Sequence, residues 1–242
     1  MGQIQSDNRA VALEGATVNF RGVFAPRQFT PEWFRDQELI SSADFDRAEI
    51  DGVTPDLTVL RLAWLTVTVT AENMVLTSTS VDDFPLLRDV ALGVLNAVIT
   101  PLTALGINRE YHVQMEDIDE FNLVGDVLAP KALWNDVLKE SGMKDVTLWG
   151  QRQDHYGGRV HVTVQPSAQV KLGVYFLIND HFDLTVVEHQ PAIRITETSE
   201  VEDSGTSLKK HAFALEVLAT AWESSFAQAE SIRTHVIAEV LS

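Results

Sequence analysis

The side chains best suited to chemistry in this sequence are seven histidines: His112, His155, His161, His181, His189, His211 and His235. A zinc-binding helix places two histidines four residues apart on one face, and the H-E-x-x-H pattern adds a glutamate as base. None of the seven has that spacing, and none is followed by Glu. The richest local group is Asp180-His181-Phe182-Asp183 with Glu188-His189. A hairpin would gather two imidazoles and several carboxylates there, and an enzyme would centre on His181 and His189. Asp180 and His181 are adjacent, however, so on a strand they point to opposite faces. Exposed polar residues at a strand edge are therefore favoured over metal ligands. Asp154-His155-Tyr156-Gly157-Gly158 puts an acid and a base beside two glycines, and reads as a polar hairpin turn rather than an acid–base pair.

The other chemical signatures are missing. There is no G-x-S-x-G elbow, no G-x-x-x-x-G-K-[ST] and no G-x-G-x-x-G, so nothing signals an activated serine or a phosphate-cradling loop. Asp82-Asp83 reads as a helix start rather than a catalytic dyad. Glu116-Asp117-Ile118-Asp119-Glu120 lacks the glycine and oxygen spacing of a calcium loop and reads as an acidic connector. With no cysteine, disulfides, thiolate nucleophiles and Cys-based metal sites drop out. No catalytic, cofactor-binding or metal-binding residue is assigned, no cofactor is expected, and no binding residue is specified.

Lys and Arg number 18 against 35 Asp and Glu, a formal charge of −17. Such a surface repels phosphate backbones and anionic lipid; nucleic acid and membrane are not expected as partners. It can attract basic proteins. No apolar run reaches about 18 residues, the length needed to span a bilayer. The polar first ten residues lack the apolar stretch of a signal peptide, and a cytoplasmic protein is expected.

The elements that must position these groups follow from hydrophobic periodicity. Residues 1–10 read as a flexible tail and Ala16 to Phe24 as a strand. Thr30-Pro31-Glu32 has the cap, first-turn proline and acid of a helix start, with Trp33 and Phe34 as anchors. Residues 36–56 read as a solvated acidic loop. Leu57 to Thr70 reads as one long strand with a bend or bulge, followed by a turn and a hairpin partner over Met74 to Ser80. A helix carries Leu87, Val90, Ala91, Val94 and Val98, and Thr100-Pro101 ends it. Asn108 to Gln114, Phe121 to Leu128, Val146 to Gln151, Arg159 to Gln165 and Gln169 to Ile178 read as strands, and Ala132 to Glu140 as a short helix. Residues 179–207 read as an insertion with two short strands, Leu184 to Val187 and Ala192 to Thr196, and a loose Glu197 to Gly205. One long helix, 208–241, ends the chain, its stripe including Leu215, Leu218, Trp222 and Phe226. Of the five tryptophans, Trp33, Trp134 and Trp222 are expected in the core, while Trp64 and Trp149 could face a binding surface.

Two stretches look like copies. Val23-Phe24-Ala25-Pro26-Arg27 through Asp36, and Val127-Leu128-Ala129-Pro130-Lys131 through Glu140, share Val, Ala and Pro and match in type elsewhere. The expected fold is α+β, with two pseudo-repeated halves, each a mainly antiparallel sheet backed by a long helix. The halves would be residues 11–115 and 116–242, the second holding the insertion.

The proline-ended first strand, the paired strands feeding a long helix and the Trp222/Phe226 core of the last helix resemble a broad family of bacterial α+β proteins of about this length. That resemblance implies no activity and no catalytic residues. The segments Val18 to Pro26 and Val59 to Thr70 also resemble the first strands of the SecB-type chaperone layout, which would imply a holdase. The functional expectation is a non-enzymatic interaction or assembly subunit of a bacterial multi-protein system, phage defence being one setting. Its partner would be a protein or a second copy of itself, met by strand addition or helix packing.

Overall fold

Strands that alternate apolar and polar residues bury one face and leave the other to solvent, and here that rule shapes the whole molecule. The computed structural model describes residues 9–152, 154–185 and 199–242, with the side chains of 199–204 excepted. The strands are β1 (Val11–Gly22), β2 (Glu49–Val53), β3 (Leu57–Arg61), β4 (Thr66–Thr70), β5 (Asn73–Ser78), β6 (Leu102–Gln114), β7 (Val146–Gln151), β8 (Arg159–Pro166) and β9 (Gly173–Asp183). They form one antiparallel sheet in the order β2-β3-β4-β5-β1-β6-β9-β8-β7. The helices are α1 (Pro31–Asp36), α2 (Ser42–Asp46), α3 (Phe84–Ala97), α4 (Ile118–Leu128), α5 (Ser199–Thr220) and α6 (Trp222–Leu241). The protein is thus α+β, with a large antiparallel sheet and helices. Among the described residues no helix is long and apolar enough to cross a membrane.

Two buried clusters lie on the helix-covered face. The larger joins Val18, Phe20, Leu60, Leu76 and Leu105 to Leu87 and Val94 of α3 and to Val217, Leu218 and Trp222 of the C-terminal helices. The smaller joins Tyr111, Val113, Val164 and Phe176 to Val124 of α4 and Ile237 of α6. Buried charge lies at their junction. Arg109 pairs with Glu14 at 2.5 Å, and its guanidinium lies 4.4 Å from the ring centres of both Phe84 and Phe226. Two residues beyond Ile178, which pairs with Arg109 in register, Asp180 of β9 accepts a 2.5 Å hydrogen bond from Ser225 of α6 and pairs with the buried Arg152. Arg152 also pairs with Asp154 and lies 4.1 Å over the Phe182 ring.

Several expectations change. Thr30 does cap α1, accepting from the Trp33 amide. The acidic stretch 36–56 is not a plain loop: Ser41 and Asp44 form a capping box on α2, and β2 follows. Leu57 to Thr70 is not one strand but the hairpin β3–β4, closed where Leu62 donates to Leu65; burying both leucines stabilises the reversal. Phe121 to Leu128 is helical. Asp117 caps α4 by accepting from the Asp119 and Glu120 amides, and Phe121, Val124 and Leu128 then share one helical face. Ala132 to Glu140 forms no α-helix, only a 3-10 turn over Lys131–Leu133 and further turns. Strand β9 begins at Gly173 and continues through the first residues of the presumed insertion to Asp183. The long helix is two, interrupted at Ala221, and α5 begins at Ser199, within the segment read as loose. Residues 1–8 of the tail, the strand expected at Ala192 to Thr196, and Glu188 and His189 lie outside the described residues.

The two proline stretches hold corresponding places in the chain order but different environments. Pro26 is buried directly after β1, whereas Pro130 is exposed and follows α4.

Replacing one partner of a buried ion pair strands the other, which costs about 3–5 kcal/mol, whereas an apolar pair of similar volume is often neutral. Arg152→Met should therefore lower unfolding stability by about that amount, and Arg152→Met with Asp180→Leu should recover much of it. Denaturant titration of the three chains measures both.

Candidate functional site

On the face turned away from the helices, polar side chains form a grid set by strand register. One row runs Asn19, Gly106, His181, Arg159 and Gln151 across β1, β6, β9, β8 and β7. The next runs Thr17, Asn108, Asn179, His161 and Trp149. Gly106 lies at the centre: a side chain there would meet the Asn108 and Asn179 carboxamides and the Asn19 side chain. The alternation of Val160, Val162 and Val164 with Arg159, His161 and Thr163 explains the placement. The valines turn inward, so the charged and hydroxyl groups must turn outward.

Over β7, β8 and β9 this face is concave, a basin of about 880 Å³, within the size range of small-molecule sites. Arg159, His161, His181, Asn179, Thr163 and Asp183 are among its lining residues. The two imidazole rings, from adjacent strands, stand 6.3 Å apart edge to face. Burial lowers the His181 pKa below its ordinary value, and the charges of His161, Arg21 and Arg159 add to that, against an opposing pull from Asp183. Burial would raise the Asp183 carboxyl, but the Thr185 hydroxyl and amide, with His181 and Arg159, hold it below the usual range.

The loop after β7 builds one wall. Arg152 donates its amide to the Gly158 carbonyl at 3.2 Å, and the Tyr156 and Thr220 hydroxyls lie 2.5 Å apart. Gly158, at φ +91°, packs so closely on β9 that a methyl group would overlap the His181 carbonyl. Gly157, at φ +70°, faces open space.

The sheet edges differ. Strand β2 is bulged between Ile50 and Gly52, carries Glu49 and Asp51, and pairs Asp51 with Arg61 at 2.5 Å. Strand β7 has no charge, no proline and no bulge, and among the described residues β8 is its sole strand partner. Leu148 is 64% exposed and Trp149 59%, the latter lying 4.7 Å beneath the Arg159 guanidinium. In the turns leading to β7, Leu133 is 84% exposed, Val137 73% and Trp134 52%. Trp134 is therefore a surface residue, not the core residue expected, while Trp64 packs against the larger core.

Of the residues singled out in the sequence, His181 and Asp183 face the basin, and Asp180 points to the helix face as strand alternation required. His155 lies outside the basin, stacked on Tyr156 at 3.9 Å. Among the described residues no three His, Asp or Glu side chains stand together to hold a metal ion. His161 stands among the seven histidines without an assigned neighbour, and Arg159 and Asn179 carry no sequence signature, although alternation with buried Val and Ile residues puts all three on one face. The chain matches no family model and no curated protein.

Two predictions follow from the wall and the basin. Gly158→Ala should destabilise by more than the roughly 1–2 kcal/mol that a left-handed backbone alone costs an L-residue, and Gly157→Ala by about that much; thermal unfolding separates them. For His181 the folded pKa lies below 6.5, so the unfolded chain takes up the proton first. Its contribution is complete above the ordinary value and is lost as pH falls through the folded one. His181→Asn should flatten the decline of stability on acidification, measured by denaturant midpoints across that range.

Proposed function

We propose that this chain is a non-enzymatic interaction subunit of a bacterial multi-protein assembly, and that it takes an extended segment of a protein partner along the outer edge of β7. The observation that carries this reading is the contrast between its two edges. An exposed strand edge is a template for pairing, and proteins guard such edges with charge, bulges or short length. Strand β2 has these guards; β7 has none. A strand added there satisfies backbone groups for affinity, while side-chain pockets give specificity. Leu148, Trp149 and the exposed Leu133, Trp134 and Val137 supply the apolar contacts. The occupant is a different protein rather than a second copy, because self-pairing would join two chains of charge −17. A segment with basic flanks suits that field.

The proposal extends to descent. In each half a long central strand, β1 or β6, leads through helical turns to an antiparallel meander, whose last strand, β5 or β9, returns beside it before a long helix. This order supports two pseudo-repeated halves within one sheet. It pairs β1 with β6, placing the second half's start at β6 rather than after it.

A holdase of SecB type is the second reading, favoured by the exposed apolar run in 133–138. It would bind many unfolded clients and a hydrophobic dye. Native pull-down with wild type, Leu148→Lys and Ile50→Lys separates the readings. The edge reading expects one defined partner, lost with Leu148→Lys and kept with Ile50→Lys, and amide exchange slowed in β7. A chain recovered alone, a self-associated chain, or a partner indifferent to Leu148→Lys overturns it.

A further inference from the structure

The basin has a charge pattern at odds with the rest of the molecule. In a chain of 35 acidic residues, most described arginines have a carboxylate partner: Arg35, Arg61, Arg88, Arg109, Arg152 and Arg233 all do. Among the described residues Arg159 has no ion pair; it rests over the Trp149 ring and lines the basin, near enough to Asp183 to help hold that carboxyl low. Arg21, on the same face two strands beyond β9, has no ion pair among the described residues either and is close enough to act on His181. His181 stands between them and His161 lies beside Arg159 on β8, while the one carboxylate among the described lining residues, Asp183, is already engaged by Thr185. A sheet face this polar, on so acidic a protein, would ordinarily place acids beside its arginines. Leaving cations together raises their mutual repulsion, and a bound anion relieves it.

We infer that the basin binds a small organic oxyanion, a carboxylate or phosphate held by Arg159, His161 and His181. The planar guanidinium offers paired donors that match such a group. Asn179, Thr163 and Gln151 lie around it with further hydrogen-bonding capacity, and Leu177 gives the uncharged part of the ligand an apolar contact. Size and field select against polynucleotides: the basin is local, and the chain as a whole is acidic. At ordinary ionic strength charges beyond about 8 Å are screened, so the nearby cations govern what enters. Binding also takes up protons. The charged and polar groups facing His181 are His161 and Arg159 on β8, Asp183 on its own strand, Arg21 on β1 and the neutral Asn108 on β6. An anion adds the missing negative charge, favouring the imidazolium.

The inference is independent of the β7 edge reading. Imidazole NMR signals of the full chain are followed while inorganic phosphate, succinate or chloride is added at fixed ionic strength. The exposed His235 of α6 is the internal control. His161 and His181 should shift saturably with phosphate, succinate or both, which names the group recognised, and not with chloride. His181 should titrate at higher pH when the anion is bound. Arg159→Gln, at an exposed position, should weaken binding by about tenfold or more. Shifts no larger than those of His235, shifts shared by chloride, or unchanged binding in Arg159→Gln would each overturn the assignment.

Discussion

The buried carboxylate of Asp180, held by Arg152 and Ser225, ties together three parts of the chain. Asp180 belongs to β9, Ser225 to the first turn of α6, and Arg152 to the loop leaving β7. A carboxylate on the helix face of a sheet is costly to desolvate, so it persists only with its charge and lone pairs engaged. Here a guanidinium and a hydroxyl engage it, and the guanidinium in turn lies over Phe182. The consequence is positional. With Arg152 drawn under the sheet, its amide donates to the Gly158 carbonyl, and Gly158 packs against the His181 carbonyl. The wall of the basin is thus set by an interaction on the opposite face.

This explains why the sequence revealed some parts and hid others. Strand β1, the Thr30 cap and α3 were legible because each is specified by residues close in sequence: alternation, a capping side chain, a 3.6-residue stripe. The helix α4 was misread because Phe121, Leu123 and Leu128 suit a strand by composition, and the deciding signal was the Asp117 cap before them. The β3–β4 hairpin was missed because Leu62-Ala63-Trp64-Leu65 contains none of the usual turn residues; tertiary burial of Leu62 and Leu65 holds it instead. The basin was half visible. His181 and Asp183 drew notice as a cluster in sequence, but their neighbours in space, Arg159 and His161, come from another strand, and only register brings them together.

Among the described residues the helices pack on one face of the sheet, and the other face over β1, β6, β9 and β8 is filled largely with threonine, asparagine and histidine, Leu177 being an exception. That composition lets water hydrate a wide sheet face without a charge at every position. It also makes the exceptions informative. Arginine without an ion pair among the described residues, and a neutral edge strand preceded in the chain by the exposed Leu133 and Val137, are features that folding alone does not require. Natural sheets suppress open edges where they serve no purpose, and β2 shows that this chain has the means to do so.

Strand β7 belongs to both features. Its outer backbone faces the free edge, while Thr147 and Gln151 line the basin. A strand added beyond β7 would extend the grid of paired rows by one position, so that its side chains would flank the rim opposite His181. Geometry alone therefore couples the two: an occupant of the basin would meet the added strand, and an added strand would narrow the basin's open side. The coupling needs no conformational change, because the register that fixes Trp149 opposite His161 also fixes where the next strand's residues would fall.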